Sequence, residues 1–159
     1  MRMLNGFLFG TAFFALSACF GGGDYIPLGE VLEVKRGDRL LVPMTFIDPH
    51  SPPRSFELLG IRCADPDAGE LVEAYHGVLA RETAADWCLN RQITLERPLV
   101  LANGLMDRSQ GWAREPRSGE YLHELLLRQG LARADLQGRD LGDKGRRIVA
   151  LEDEARAAG

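Results

Sequence analysis

The pattern of hydrophobic residues changes from strand-like to helix-like partway along the chain. Polar and apolar residues alternate over residues 30–34, and residues 40–47 form a longer, mostly apolar run. Residues 35–38 (Lys-Arg-Gly-Asp) separate the two, and a short turn that contains glycine between such runs is typical of a β-hairpin. Residues 55–61 predict a third strand, which belongs to a buried sheet because most of its residues are apolar.

The middle and the end of the chain carry the helical pattern. Apolar residues recur at helical spacing over residues 70–90, which predicts one amphipathic helix of about five turns. Residues 92–102 return to alternation and predict another strand. Two shorter helices are expected over residues 121–129 and 146–158, and Gly130 is suited to cap the end of the first.

Three other segments have weaker patterns. Residues 103–119 are polar and predict a loop or an irregular strand pair around Trp112 and Ala113. Residues 131–134 indicate a short extended piece, and residues 137–145 a polar crossing before the last helix. Strands followed by one long helix, more strands and two final helices are typical of a small α+β barrel wrapped by helices.

The first residues predict an export signal rather than part of the fold. Residues 6–16 are uncharged and follow Arg2, and a stretch of this length is too short to cross a bilayer as a helix but typical of a signal-peptide core. Residues 16–19 (Leu-Ser-Ala-Cys) resemble the processing box of bacterial lipoproteins. This resemblance implies that residues 1–18 are a lipoprotein signal peptide and that Cys19 carries the lipid. An ordinary secretory peptide with a free Cys19 thiol is the alternative.

The residues after Cys19 are consistent with a membrane-anchored domain. Residues 19–29 contain three consecutive glycines, which predict a flexible tether, and residues 30–159 then form the folded domain. No aspartate directly follows Cys19, which resembles Gram-negative lipoproteins sorted to the outer membrane. We therefore expect an exported lipoprotein that is held at the outer membrane and faces the periplasm.

Composition and charge exclude some classes of function but do not identify one. The chain has 159 residues, 45% of them hydrophobic, and a formal net charge of −4, which favours one globular domain and excludes a generally basic surface for nucleic acid. Cys63 and Cys88 predict either a disulfide or two separately buried thiols, because spacing alone does not show whether the side chains face each other. No cysteine or histidine spacing indicates a metal site.

Three short motifs give the domain a family resemblance. Residues 34–38, 56–61 and 127–132 are similar to the hydrophobic-Asp-Gly-Asp-Thr turn, the Arg-Leu-Leu-Gly-Ile strand and the Leu-Val-Arg-x-Gly-Leu-Ala segment of the staphylococcal nuclease (thermonuclease) family. Residues 123–124 (His-Glu) stand where that family has Asn-Glu. The resemblance spans residues 30–158 and implies an OB-fold, a five-stranded β-barrel with three helices.

The same resemblance implies a site for calcium-dependent cleavage of phosphodiesters, and the chain departs from it by reversals of charge. Arg36 stands at the first acid of the turn and Asp38 at the second, which leaves Asp38 as the candidate metal ligand. Glu57 stands at the phosphate-binding arginine and Arg62 at the metal-binding aspartate. Asp65 keeps an acid at the position of the general base.

The second catalytic arginine of the family has no clear equivalent. It lies in an Asp-x-Tyr-Gly-Arg segment, which residues 107–114 match only at the aspartate, so Arg108 or Arg114 is the available substitute. We also expect Arg62 to pair with Asp38, with the guanidinium taking the place of the cation. Solvated charges at the end of the barrel are the alternative.

Two functions follow from these residues. The first is an envelope-anchored, thermonuclease-like domain with a degenerate site, which needs no cofactor, does not hydrolyse nucleic acid and acts as a binding module, with an envelope protein as a possible partner. The second is an exported calcium-dependent nuclease that acts on DNA or RNA through Asp38 and Asp65, with Arg108 or Arg114 at the phosphate.

Overall fold

The computed structural model describes residues 23–26, 31–43, 50, 52–89, 91–96 and 109–159, and within them the fold is a mixed α+β arrangement. The three helices are α1 (Leu71–Cys88), α2 (Leu122–Arg128) and α3 (Gly142–Ala158). The strands are β1 (Gly23–Ile26), β2 (Glu33–Arg36), β3 (Arg39–Val42), β4 (Arg54–Leu58), β5 (Gly60–Cys63), β6 (Ile93–Glu96), β7 (Gln110–Arg114) and β8 (Ala132–Asp135). The predicted α+β class is confirmed.

Most of the described strands belong to one sheet, with the order β1-β6-β7-β4-β3-β2. β2, β3 and β4 form an antiparallel meander, β6 and β7 form a second antiparallel pair, and the two groups meet through a parallel pairing of β4 with β7. β1 and β2 are the outer strands. Within the described residues the pairings therefore form an open sheet and do not close into a barrel.

A sharp corner divides the predicted strand over residues 55–61 into β4 and β5, so the prediction of one continuous strand is wrong. Leu59 forms a turn, and Gly60 has a φ of +87°, a left-handed conformation that glycine adopts without steric cost. A Cβ at Gly60 would lie 2.6 Å from Cδ1 of Ile148. After this corner β5 leaves the large sheet and pairs with β8 as an antiparallel ribbon.

Helix α1 lies close to the loop that follows β5. Its buried residues are mostly small, among them Gly77, Ala80 and Ala84, which allows a near approach of backbones. A Cβ at Gly77 would lie 2.4 Å from the backbone nitrogen of Pro66. The first turns of α1 are thereby fixed beside β5.

The hydrophobic core lies between the sheet and the helices. Phe56 of β4 and Leu95 of β6 are at most 1% exposed, and they share the core with Leu126 of α2 and Ile148 of α3, which are fully buried. This burial supplies the apolar contacts that hold both short helices against the strands.

The other predicted elements agree with the structure to different degrees. The helices expected over residues 70–90 and 121–129 are confirmed as α1 and α2, whereas α3 begins at Gly142 within the predicted polar crossing. β1 lies inside the range predicted to be a tether and pairs with the edge of β6. The signal segment, Cys19 and Arg108 lie outside the described residues. No helix in the described part of the chain is long and apolar enough to span a membrane.

Candidate functional site

The hairpin between β2 and β3 carries Asp38 into the protein interior. A Cβ at Gly37 would lie 2.8 Å from both Cβ of Ala80 and Sγ of Cys63, so the turn packs tightly against α1 and β5. Asp38 follows this glycine and is only 3% exposed. A buried carboxylate needs hydrogen-bonding partners, because its desolvation would otherwise cost several kcal/mol.

Protein donors occupy both carboxylate oxygens of Asp38. Arg36 donates from Nε to Oδ1 and from Nη2 to Oδ2, the latter at 3.1 Å. The backbone N–H of Cys63 donates to Oδ2, also at 3.1 Å. The hydrogen bond to Asp38 raises the pKa of the Arg36 guanidinium, which therefore stays charged. The prediction that Arg62 pairs with Asp38 is wrong, because Arg36 fills that role.

The direction of Arg62 explains this error. Along β5, Ile61 and Cys63 are buried while Arg62 is exposed, as alternation along a strand requires. The β5 backbone therefore approaches Asp38, and the Arg62 side chain points away. Its Nε lies 3.9 Å from Oδ2 of Asp135 on the neighbouring strand β8, at the outer limit of an ion pair.

Glu57 also has a partner inside the protein. It lies opposite Arg39 in the β3–β4 register, and the two side chains form an ion pair. Gln110 of β7 donates a further hydrogen bond from Nε2 to Oε2 at 3.2 Å. Burial alone would raise the pKa of Glu57, but the hydrogen bonds from Arg39 and Gln110 lower it below the usual value. The sequence signal for this pair is the opposite charge of Arg39 and Glu57 on two strands that follow each other in the chain.

Asp38, Glu57 and Arg62 all line one small cleft of about 50 Å³ beside the β4–β5 corner. Residues distant in sequence complete it, among them Arg139, whose Nη1 donates to Oε1 of Gln110 at 2.8 Å. No group of three or more His, Cys, Asp or Glu side chains suited to a metal ion occurs among the residues described. The cleft instead combines carboxylates with guanidinium groups that neutralise them.

The structure separates Arg114 from this cleft. Gln110, at one end of β7, lines the cleft, whereas Arg114 is at the other end of the strand. Arg114 lies 3.4 Å from the Glu96 carboxylate and 5.8 Å from the ring centre of Tyr121. Arg114 therefore contacts Glu96 and Tyr121 at the far end of β7 rather than the residues of the cleft.

Asp65 lies beside a larger cavity of about 670 Å³. It is exposed in the loop after β5, and its Oδ1 accepts the N–H of Asp67 at 3.0 Å. The cavity is bounded by this loop, by β5 and β8, and by Glu73 and His76 in the first turns of α1. Arg62 lines both the cavity and the small cleft, so the two adjoin at β5.

Cys63 and Cys88 are both buried, free thiols. Of the two alternatives that their spacing left open, the structure therefore contains separate thiols rather than a disulfide. Burial raises the pKa of Cys63, and it raises the pKa of Cys88 to about 12. Both side chains stay protonated at neutral pH, which makes them poor nucleophiles.

Comparison of the chain with protein-family models gives no match, and comparison with curated proteins gives none either. The residues of the cleft and the cavity are thus the basis for assigning a function. In the cleft, the acids Asp38 and Glu57 each have an arginine partner from the same chain: Arg36 for Asp38 and Arg39 for Glu57.

Proposed function

We propose that this chain is a thermonuclease-like domain of the cell envelope that does not hydrolyse nucleic acid and acts as a binding module. The observation that carries the proposal is the pairing of Asp38 with Arg36 and with the N–H of Cys63. Calcium takes six to eight oxygen ligands, several of them charged. The candidate ligand here is already neutralised by a guanidinium, so the residues present do not fit a calcium ion.

The charge at Glu57 supports the same proposal. Cleavage of a phosphodiester requires positive charge directed at the phosphate in the transition state. Glu57 places a negative charge at the corresponding position, and its partner Arg39 is held in an ion pair with it. Releasing Arg39 toward a substrate would leave Glu57, which is about one third exposed, without its cation.

The proposal includes two finer features of architecture and location. A five-stranded OB barrel would use β2, β3, the bent β4–β5 pair, β6 and β7, and the meander and the parallel β4–β7 pairing are compatible with such a Greek-key barrel. Attachment to the outer membrane through Cys19, facing the periplasm, is supported by the sequence of residues 16–19.

The test is a calcium titration of the protein without residues 1–18, combined with a nuclease assay. We expect no cleavage of heat-denatured DNA or of RNA. We also expect no rise in melting temperature with millimolar calcium, since such a rise would mean that calcium binds the native state. Calcium-dependent cleavage that is lost in Asp38→Ala or Asp65→Ala would overturn the proposal in favour of an exported nuclease.

A gain of calcium binding tests the origin of the site. The double variant Arg36→Asp, Arg62→Asp frees Asp38 and adds two acids to the lining of the small cleft that contains it, at the positions where the thermonuclease family carries acids. We expect calcium to raise its melting temperature. The matched control is Arg146→Asp, Arg156→Asp, which makes the same change of charge on exposed side chains of α3. An equal response of both variants to calcium would contradict a degenerate metal site.

A further inference from the structure

The outer face of the β5–β8 ribbon carries two arginines directly opposite each other. Arg62 and Arg133 are Cα partners in the antiparallel register, and both are exposed. Ile61 and Cys63, their neighbours on β5, are buried, which fixes the outward direction of Arg62. Side chains that lie opposite in an antiparallel pair share one face, and like charges placed there destabilise the sheet.

The protein neutralises this pair only in part. Arg62 lies 3.9 Å from Asp135, which is an ion pair at its distance limit between partly exposed groups. Arg133 forms no ion pair with any residue in the described part of the chain. The ribbon thus holds an excess of positive charge on a chain whose formal net charge is −4.

Both arginines line the cavity of about 670 Å³. This volume lies in the range of small-molecule sites. The acids in the lining have local roles, since Asp65 accepts the N–H of Asp67 and Glu73 lies in the first turn of α1, where a carboxylate offsets the positive end of the helix. Arg36, the third arginine in the lining, is already paired with Asp38, so Arg62 and Arg133 are the arginines available to an anion in the cavity.

We propose that Arg62 and Arg133 bind the phosphate group of a phosphomonoester in this cavity. The inference deepens the proposed function and rests on it in one respect: the ligand is held rather than hydrolysed. Each guanidinium can donate two parallel hydrogen bonds to phosphate oxygens, and a dianion between them removes the repulsion across the ribbon. The ligand is a soluble phosphomonoester or a lipid headgroup with the same terminal group.

A longer polyanion fits this surface less well. Binding along a nucleic-acid strand needs a row of cations for successive phosphates. Here two arginines stand together, and Asp65 and Glu73 in the same cavity repel any further phosphate. One terminal phosphate therefore matches the charges better than a chain of phosphodiesters.

The first experiment measures binding of inorganic phosphate by calorimetry and thermal melting, at constant ionic strength set with sodium chloride. We expect phosphate to raise the melting temperature of the wild-type protein. Arg62→Gln or Arg133→Gln should each weaken binding about tenfold or more, while Arg146→Gln on α3 serves as the matched control. Without phosphate, Arg133→Gln should melt higher than wild type, because the like-charge pair is gone.

Several results would overturn this proposal. The first is a wild-type melting temperature that responds to phosphate no more than to chloride. The second is phosphate binding that persists in the double variant Arg62→Gln, Arg133→Gln. The third is an Arg133→Gln variant that melts lower than wild type without phosphate. DNA cleavage by a protein that binds phosphate would refute the proposed function and leave the site standing. Absence of both cleavage and phosphate binding would refute the site alone.

Vesicles identify the source of the phosphate. Phosphatidic acid has a terminal phosphomonoester, whereas phosphatidylglycerol has only a phosphodiester. If the protein binds phosphatidylcholine vesicles that contain phosphatidic acid, and the double variant does not, the ligand is a lipid headgroup. If the protein binds inorganic phosphate but not these vesicles, the ligand is soluble. Equal binding to vesicles that contain phosphatidylglycerol would contradict recognition of a phosphomonoester.

Discussion

Asp38 shows how hydrogen bonds accommodate an acidic side chain in the protein interior. It is 3% exposed, and the bonds from Arg36 and from the Cys63 N–H satisfy its carboxylate. Each of these partners depends on it in turn, since a buried donor without an acceptor is costly. We therefore regard Asp38 as a residue that stabilises the β2–β3 turn against β5.

Removing this carboxylate should destabilise the protein. Asp38→Ala leaves the mostly buried Arg36 guanidinium without its anion and the Cys63 N–H without an acceptor, so we expect a loss of about 2–4 kcal/mol in the free energy of unfolding. Urea denaturation measures it. Asp38→Asn, which keeps an oxygen acceptor, is the control and should lose less; an unchanged urea midpoint in Asp38→Ala would contradict a stabilising role.

At the scale of elements, the β4–β5 corner decides which sheet each strand joins. We expect Gly60→Ala to destabilise through the left-handed backbone and through contact with Ile148 and with Cδ1 of Leu141, which would lie 3.0 Å away. Gly138→Ala is the matched control, because Gly138 has a φ of +71° and no atom within 4 Å of an added Cβ. Urea denaturation should give Gly60→Ala a free energy of unfolding about 1–3 kcal/mol lower than that of Gly138→Ala. Equal losses would show that the corner is not tightly packed.

Helix α3 is attached to the sheet through Lys144. Its Nζ lies 2.9 Å from Oε2 of Glu96 and 3.9 Å from the ring centre of Tyr121. Burial alone would raise the pKa of Glu96, but the hydrogen bonds from Lys144 and Tyr121 lower it. Lys144 thereby joins α3 to β6 through one ammonium group.

Neutralising this ammonium should weaken the attachment. Lys144→Met keeps most of the apolar stem and removes the charge, so we expect a loss of about 1–2 kcal/mol of stability and a higher pKa of Glu96. Urea denaturation and an NMR titration of the carboxyl carbon would measure the two effects. Lys35→Met, at an exposed position, is the control; a Glu96 pKa equal in both variants would exclude the contact.

The sequence predicted the elements that have a regular pattern of their own, and missed those that distant contacts define. α2 follows from apolar periodicity, since it buries one face. α1 forms over the predicted range, but the apolar residues Leu71, Tyr75 and Leu89 are exposed and the helix buries mainly small residues instead. The corner at Gly60 was missed because apolar residues continue across it from β4 into β5. In the cleft, the hairpin pattern predicts the turn that contains Asp38 but not its partner Arg36. The pattern gives the direction of the Arg62 side chain only when the path of the β5 backbone is known.

At the scale of the whole molecule, a buried histidine makes stability depend on pH. His123 of α2 is 2% exposed, and burial, aided by the charges of Lys144 and Arg128, lowers its pKa from 6.5 to about 3. The unfolded chain takes up a proton below the usual histidine pKa, whereas the folded protein does not until much lower pH. The stability from the neutral ring is therefore present above 6.5 and lost as the pH falls from 6.5 toward 3.

We expect this histidine to contribute a slope of up to about 1.4 kcal/mol per pH unit in that range. Urea midpoints measured from neutral pH down to about pH 4 should fall less steeply in His123→Gln than in wild type. Because the substitution also changes packing in the core, the slope rather than the absolute value is compared. His76→Gln, at an exposed position, is the control; a wild-type slope retained in His123→Gln would mean that other groups cause the acid sensitivity.

The two strands that meet at the Gly60 corner have partners far downstream. β4 pairs with β7, and β5 pairs with β8, which is followed in the chain only by α3 among the elements described. During synthesis neither pairing can form until the ribosome has translated most of the sequence, and pairings between distant segments form slowly. The growing polypeptide consequently lacks the hydrogen bonds that join the β2–β4 meander to the rest of the fold for most of translation.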